Sequence, residues 1–301
     1  MKFYPEGINN KLVASFKSIE EIKAAIDSES IYEGCVMLCD REHNLHIDLG
    51  CIEGVIPKNE GALGILEGTV RDIALISRVG KRVCFRVMGF HRDENGKRVA
   101  ILSRRAVQLK CVEEYINNIR PGEIVDARVT RLEGFGVFID LACGINSLIP
   151  IDMLSVSRIS HPRERLREGE MIKCALRKRE NDKLTFTLKE LLGTWEENAA
   201  SFFVGETVTG IVRSVESYGV FVELTPNLAG LAELGADVSA GQRVSVFIKS
   251  VIPERMKIKL VIVDTCAPTA RKELDYFVSS GVISRWRYSP SSADRVVETV
   301  F

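Results

Sequence analysis

The chain repeats itself three times, and that repetition limits it to a tandem array of one small folding unit. In the second copy, PGEIVDARVTRLEGFGVFIDLACGINSLIPIDML leads through a charged stretch into REGEMIKCALRKRENDKLTFTLKE. In the third, VGETVTGIVRSVESYGVFVELTPNLAGLAEL precedes SAGQRVSVFIKSVIPERMKIKLVIVD. In the first, YEGCVMLCDREHNLHIDLGCIEGVIPKNE precedes SRVGKRVCFRVMGFHRDENGKRVAILSRR. Each copy divides into five short apolar runs separated by Gly-bearing or charged turns. The opening run, such as IVDARVTRL, alternates apolar and polar residues, as a strand with one buried face must. Five short antiparallel strands per copy suit a small closed barrel of the OB type. Gly136 and Gly219 then fall where a barrel strand bends sharply.

Helical signals punctuate the copies. SIEEIKAAIDS starts with Ser18 and carries Glu21 three residues on, a capping box. RAVQLKCVEEYINNI precedes Pro121-Gly122 and reads as a linker helix. KELLGTWEENAASF reads as another, with Gly193 its weak point, and TARKELDYFVSSG as a helix closed by Gly281. VISRWRYSP and DRVVETVF suit a strand pair, with Trp286 and Tyr288 packing this tail onto the last barrel. The expected organisation is a helical segment over 1–30, a barrel over 31–106, a linker helix over 107–119, a barrel over 120–190, a second linker helix over 191–202, a barrel over 203–264 and an extension over 265–301. The fold class is mainly β: three tandem five-stranded barrels with helical linkers.

Charge argues against a protein that coats nucleic acid by bulk attraction. Lys and Arg number 41, as do Asp and Glu. A local patch is still open to it. Residues 155–189 hold ten Lys and Arg against five acids, with His161 besides. No run approaches the length of a membrane span, and MKFYPEGINN lacks the apolar core of a signal peptide. A cytoplasmic protein without membrane contact is expected. The eight cysteines form no C-x-x-C pair and read as small reduced hydrophobes. His43, His46 and His91 match no closed metal site with Cys35, Cys39 or Cys51. No P-loop, nucleophile elbow or paired His/Asp constellation is present, so neither an enzyme nor a cofactor is expected.

The second copy, GEIVDARVTRLEGFGVFIDL…INSLIPI…REGEMIKCALRKRENDKLTFTLKE, resembles the S-one RNA-binding domain, the repeat of the largest small-subunit ribosomal protein. The third copy is similar over most of the same pattern, and the first keeps the frame without its aromatics. The resemblance implies a five-stranded OB barrel that binds single-stranded RNA on one face. Two aromatics of the second strand would stack bases, a histidine would stand on the third strand, and basic groups would flank the hairpin between strands four and five. In the second copy the implied aromatics are Phe135 and Phe138, with Pro150 in the histidine position and Arg179 and Lys183 at the hairpin. In the third they are Tyr218 and Phe221, with Glu233 in the histidine position and Lys257 at the hairpin. In the first, Glu42 and Leu45 stand for the aromatics, Pro57 for the histidine and Arg98 at the hairpin.

Side chains three apart on a strand face opposite sides, so Phe135 and Phe138 share a face only if Gly136 carries a bulge. Arg177, Lys178 and Arg179 complete the basic groove expected beside them. The implied function is binding of single-stranded RNA, mRNA foremost, as a ribosomal-protein-like translation factor with the small ribosomal subunit among its partners. Two other readings stand beside it: a protein-interaction adaptor, and an RNA-binding accessory subunit of an RNA-decay or transcription complex.

Overall fold

The computed structural model describes residues 3–9, 12–93, 96–180, 183–235, 237–267 and 273–301. It contains three closed five-stranded barrels. The chain groups into two compact units.

The first unit comprises Met1–Ile119 with Asp140–Asn146. Helix α1 (Ile19–Asp27) opens it. Ser18 Oγ accepts from Glu21 N at 3.3 Å, and the Glu21 carboxylate accepts from Lys17 N at 2.8 Å. Ile22 and Ala25 are the buried side of this helix. The barrel uses β1 (Tyr32–Cys39), β2 (Leu45–Asp48), β3 (Glu53–Ile56), β4 (Arg82–Arg92) and β5 (Arg98–Ser103) in the order β1-β2-β3-β5-β4. Leu45, Ile47, Ile56, Phe85 and Leu102 fill it. Strands β3 and β5 close the barrel in parallel at Gly54↔Ala100, where a Cβ on Gly54 would meet the Leu102 side chain at 2.6 Å. A short helix, α2 (Ile73–Ile76), lies in the β3–β4 connection, a segment whose sequence shows no clear helical signal. Helix α3 (Arg104–Glu114) follows β5, capped by Ser103 Oγ on Ala106 N at 2.9 Å.

This unit buries charge. Arg104 is 2% exposed and donates to both Glu6 carboxylate oxygens, at 2.7 and 3.0 Å. Glu6 also accepts from Cys84 N at 3.1 Å, and its own N–H donates to Asp140 at 2.8 Å. Burial opposes the Glu6 charge, but Arg104 outweighs it and holds this carboxyl below its ordinary range. Burial and the Glu6 charge push the neighbouring Asp140 upward. Asp140 also accepts from Gly144 N at 3.0 Å. Gly144 has φ +74, and a Cβ there would lie 1.9 Å from the Arg104 guanidinium.

The second unit comprises Arg120–Ile139 and Ser147–Phe301. Its strands are β6 (Ile124–Glu133), β7 (Gly136–Ala142), β8 (Ile145–Pro150), β9 (Met171–Glu180) and β10 (Lys183–Thr187), the second barrel, in the order β10-β8-β7-β6-β9. The end of β7 and the turn into β8 are grouped with the first unit. The third barrel follows: β11 (Thr207–Glu216), β12 (Gly219–Thr225), β13 (Leu228–Ala232), β14 (Arg243–Ile252) and β15 (Lys257–Thr265), ordered β11-β12-β13-β15-β14.

Two helical expectations are corrected here. KELLGTWEENAASF is not one helix: a 3-10 turn at Lys189–Leu192 ends at Gly193, φ +82, and α4 spans only Trp195–Ala199. Thr194 starts a new capping box with Glu197, so the second piece nucleates independently. TARKELDYFVSSG falls partly outside the described residues, and residues 273–281 are not helical. They form irregular backbone with bends instead, with Phe277 N donating to Leu191 O at 2.9 Å.

The tail does form a strand pair, β16 (Arg285–Arg287) with β17 (Glu298–Val300). Trp286 and Tyr288 are buried in the third barrel's core cluster, as expected from their apolar bulk. Tyr288 Oη donates to Asn227 O at 2.6 Å. The same tail grips the second barrel through Ile283 N to Gly122 O at 2.9 Å and Thr299 Oγ1 to Glu190 at 2.9 Å. Of the cysteines, Cys84, Cys111, Cys143 and Cys174 are buried, whereas Cys35 and Cys51 are exposed. No helix among the described residues is long and apolar enough to cross a membrane.

Candidate nucleic-acid interface

The first two strands of the second barrel meet at a two-residue turn, Gly134-Phe135. Phe135 therefore stands in the turn rather than on β7, and no bulge at Gly136 is needed to bring it round to Phe138. Along β7, Val137 and Ile139 point into the core and Phe138 points out between them. The two rings meet edge to face, with centroids 5.9 Å apart and planes at 89°. Phe135 is 59% exposed. Gly136 permits this close turn: a Cβ there would lie 2.5 Å from Ile149 O.

The third barrel repeats the arrangement. Tyr218 lies in the β11–β12 turn, 67% exposed, and Phe221 points outward on β12 between buried Val220 and Val222. Their centroids are 6.2 Å apart at 88°. Cross-strand register carries the outward row onward: Ser214↔Phe221, Phe221↔Leu231, Leu231↔Lys259 and Lys259↔Ser250. In the second barrel the corresponding row runs Leu148↔Thr185 and Thr185↔Lys178.

The same ladder corrects the alignment of the first barrel. Its row runs Leu38↔His46, His46↔Val55, Val55↔Ile101 and Ile101↔Gly89. His46, not Leu45, takes the outward place of Phe221, because Leu45 is wholly buried in the core. Sequence spacing missed this, since the β1–β2 turn is longer than its counterparts. His46 is held on both sides, Nδ1 against Glu53 at 2.7 Å and Nε2 against Asp40 at 3.1 Å. Burial disfavours its charge, but these two hydrogen bonds outweigh that and raise its pKa above the ordinary value. Glu42 is exposed. Arg98 lies over the Phe90 ring at 5.7 Å. Among the described residues no group of three His, Cys, Asp or Glu is arranged to hold a metal ion.

The basic residues expected beside Phe135 do not share one surface. Arg179 and Lys183 line a shallow groove with Glu180 and Thr185. Lys178, registered opposite Thr185, pairs with Glu180. Arg177 goes elsewhere. It occupies a bulge between Leu176 and Lys178, donates to Val300 O at 2.7 Å and lies over the Phe301 ring at 5.5 Å. Every fourth strand carries this bulge, with Met88 and Lys249 as the other extra residues. Lys249 uses it to reach Glu233 at 3.0 Å. The carboxylate in the third barrel's histidine position is thus neutralised. Pro150 and Pro57 hold that position in the other barrels, both half-buried. Lys257 and Lys259 are exposed on one face of β15. Lys259 escaped the sequence reading although its spacing of two from Lys257 was a signal for it.

Comparison with known proteins places residues 118–185 in the S1 (S-one) RNA binding domain family. The chain is 27% identical over 234 residues to the small ribosomal subunit protein bS1 homolog of Bacillus subtilis, covering 75% of this chain and 58% of that protein. It is 31% identical over 153 residues to bS1 of Chlamydia muridarum, covering 46% of this chain and 27% of that protein. The chain therefore spans little more than half of the first relative's length and about a quarter of the second's. Among solved structures, a multidomain protein with nucleic acid binding domains from Streptococcus pneumoniae aligns over 78% of this chain and 73% of its own, at 15% identity and a TM-score of 0.25, too low to bear on the reading.

Proposed function

We propose that this chain, which carries an S1 RNA binding domain, binds single-stranded RNA through its second and third barrels. The observation that carries the reading is the Phe135–Phe138 pair, two rings outside the core on a barrel that also carries Arg179 and Lys183 in a surface groove. An exposed aromatic offers a π-face to any base and is worth about 1–3 kcal/mol per stacked base. The adjacent cations attract the phosphates between bases. The Tyr218–Phe221 pair, with Lys257 and Lys259, repeats this chemistry on the third barrel. Two weak platforms on one chain raise the affinity for a strand long enough to reach both.

The RNA expected is mRNA, and the setting is translation in the cytoplasm, on or near the small ribosomal subunit. The likeness to bS1 proteins supports this setting. The first barrel has a different role. Its outward row offers Leu38, Val55 and Ile101 with His46 clamped between two carboxylates, and no aromatic stands where Phe221 does. That surface suits a protein partner better than a polyanion.

Fluorescence anisotropy of a labelled single-stranded RNA of roughly a dozen nucleotides, at low and moderate salt, tests the main reading. Salt-sensitive binding by the full chain is the expected result. No binding even at low salt would overturn it and leave the adaptor reading.

A further inference from the structure

The basic residues of 155–189 go to several places. Arg179 and Lys183 line the surface groove, Arg177 is engaged by Val300 and Phe301, and Lys173 pairs with Asp126. Arg158, Arg163 and Arg165 line a cleft of ≈1080 Å³ inside the second unit. The loop after β8, strands β11 and β12, and the irregular segment 273–277 form its walls.

The floor is already satisfied. Arg165, 3% exposed, donates to Glu223 at 2.5 Å. Arg213 donates to both Glu223 oxygens, at 2.7 and 3.0 Å, and pairs with Glu164. Burial pushes Glu164 up, but hydrogen bonds from Ser160 and the Arg213 charge bring it below its ordinary value. Two arginines therefore face two carboxylates across this floor. The rim is different. Arg158 and Arg163 are exposed and make no ion pair among the described residues. Phe277, also in the lining, rests on Gly193, where a Cβ would lie 2.6 Å from its ring, and is still 48% exposed. Glu273 and Asp275 stand on that same segment, also exposed.

We infer that this cleft binds a nucleotide unit, with Arg158 and Arg163 donating to its phosphate and Phe277 stacking on its base. The size fits: ligand clefts run from about 300 to about 1,000 Å³. The chemistry fits because guanidinium forks match phosphate oxygens, and an exposed ring stacks a base. The charge distribution sets the orientation. Phosphate turns toward the arginines at 158 and 163, and the base toward Phe277, away from the exposed carboxylate of Glu273. The unit comes either from a free nucleotide or from one residue of a bound RNA strand, and in the second case the inference rests on the function proposed above.

The test titrates GMP, AMP, inorganic phosphate and a dodecamer RNA into the full chain. The variants are Arg158→Gln/Arg163→Gln, Phe277→Ala and Phe135→Ala/Phe138→Ala, each with its thermal midpoint measured. Mononucleotide binding that weakens fivefold or more in both cleft variants, but not in Phe135→Ala/Phe138→Ala, supports a free nucleotide. Dodecamer binding that weakens fivefold in both cleft variants, also when they are combined with Phe135→Ala/Phe138→Ala, supports a residue of the strand. Cleft variants that keep their thermal midpoints and alter neither titration overturn the inference. So does binding of phosphate alone that needs the arginines while no nucleotide responds to Phe277→Ala. If instead only Phe135→Ala/Phe138→Ala leaves dodecamer binding unchanged, it is the barrel platform that fails, not the cleft.

Discussion

Phe135 and Phe138 come together although one belongs to a turn and the other to a strand, their centroids 5.9 Å apart. Neither ring supports the barrel core, because Val137 and Ile139 do that from the other face of β7. Phe135→Ala/Phe138→Ala is therefore expected to weaken RNA binding tenfold or more, about 1.4 kcal/mol or above. Thermal unfolding of the same variant checks that the barrel is intact; its midpoint should move little.

Glu233 pairs with Lys249 at 3.0 Å, which on the proposed reading offsets its repulsion of phosphate. Lys249→Ala should weaken RNA binding at the third platform a few-fold. Glu233→Gln added to it should restore most of the loss. A double-mutant cycle by anisotropy, in a Phe135→Ala/Phe138→Ala background, isolates this pair.

His46 should titrate above the ordinary 6.5, because Glu53 and Asp40 both bond its charged form. A histidine with a raised folded pKa contributes stability that is complete below the unfolded value and is lost as pH rises through the folded one. NMR of the His46 ring protons measures the midpoint, and Glu53→Gln should lower it. An unshifted midpoint would refute the double clamp.

Arg104→Met leaves buried Glu6 with only the more distant Arg78, 3.5 Å away. The expected loss is about 3–5 kcal/mol of first-unit stability, read by urea unfolding. The deficit should shrink as pH falls. The wild type then loses the stabilisation of ionised Glu6, whose folded pKa is lowered, while the variant, left with Arg78 alone, has less of it to lose.

Arg165 and Glu223 form a second buried pair, 2.5 Å apart, on the floor of the cleft. Glu223→Gln should lower the thermal midpoint of the second unit more than Lys183→Gln does. Lys183 lies on the barrel surface, where a lone charge contributes little to folding. Calorimetry of the two variants compares them directly.

What could be read from the sequence was periodic or local. The threefold repeat, the alternating strands and the Ser18 cap all follow from spacing and residue type, which act over a few neighbours. The same holds for the packing of Trp286 and Tyr288, whose bulk must be buried somewhere. Only the tertiary structure decided how strands lie beside one another. It moved His46 into the place of Phe221, because register across β1, β2 and β3 is set by core packing and turn length, not by alignment of the turn. It also divided one basic run among a groove, a bulge facing Val300 and a cleft beside Phe277, since the direction of each charge depends on which distant segment it meets.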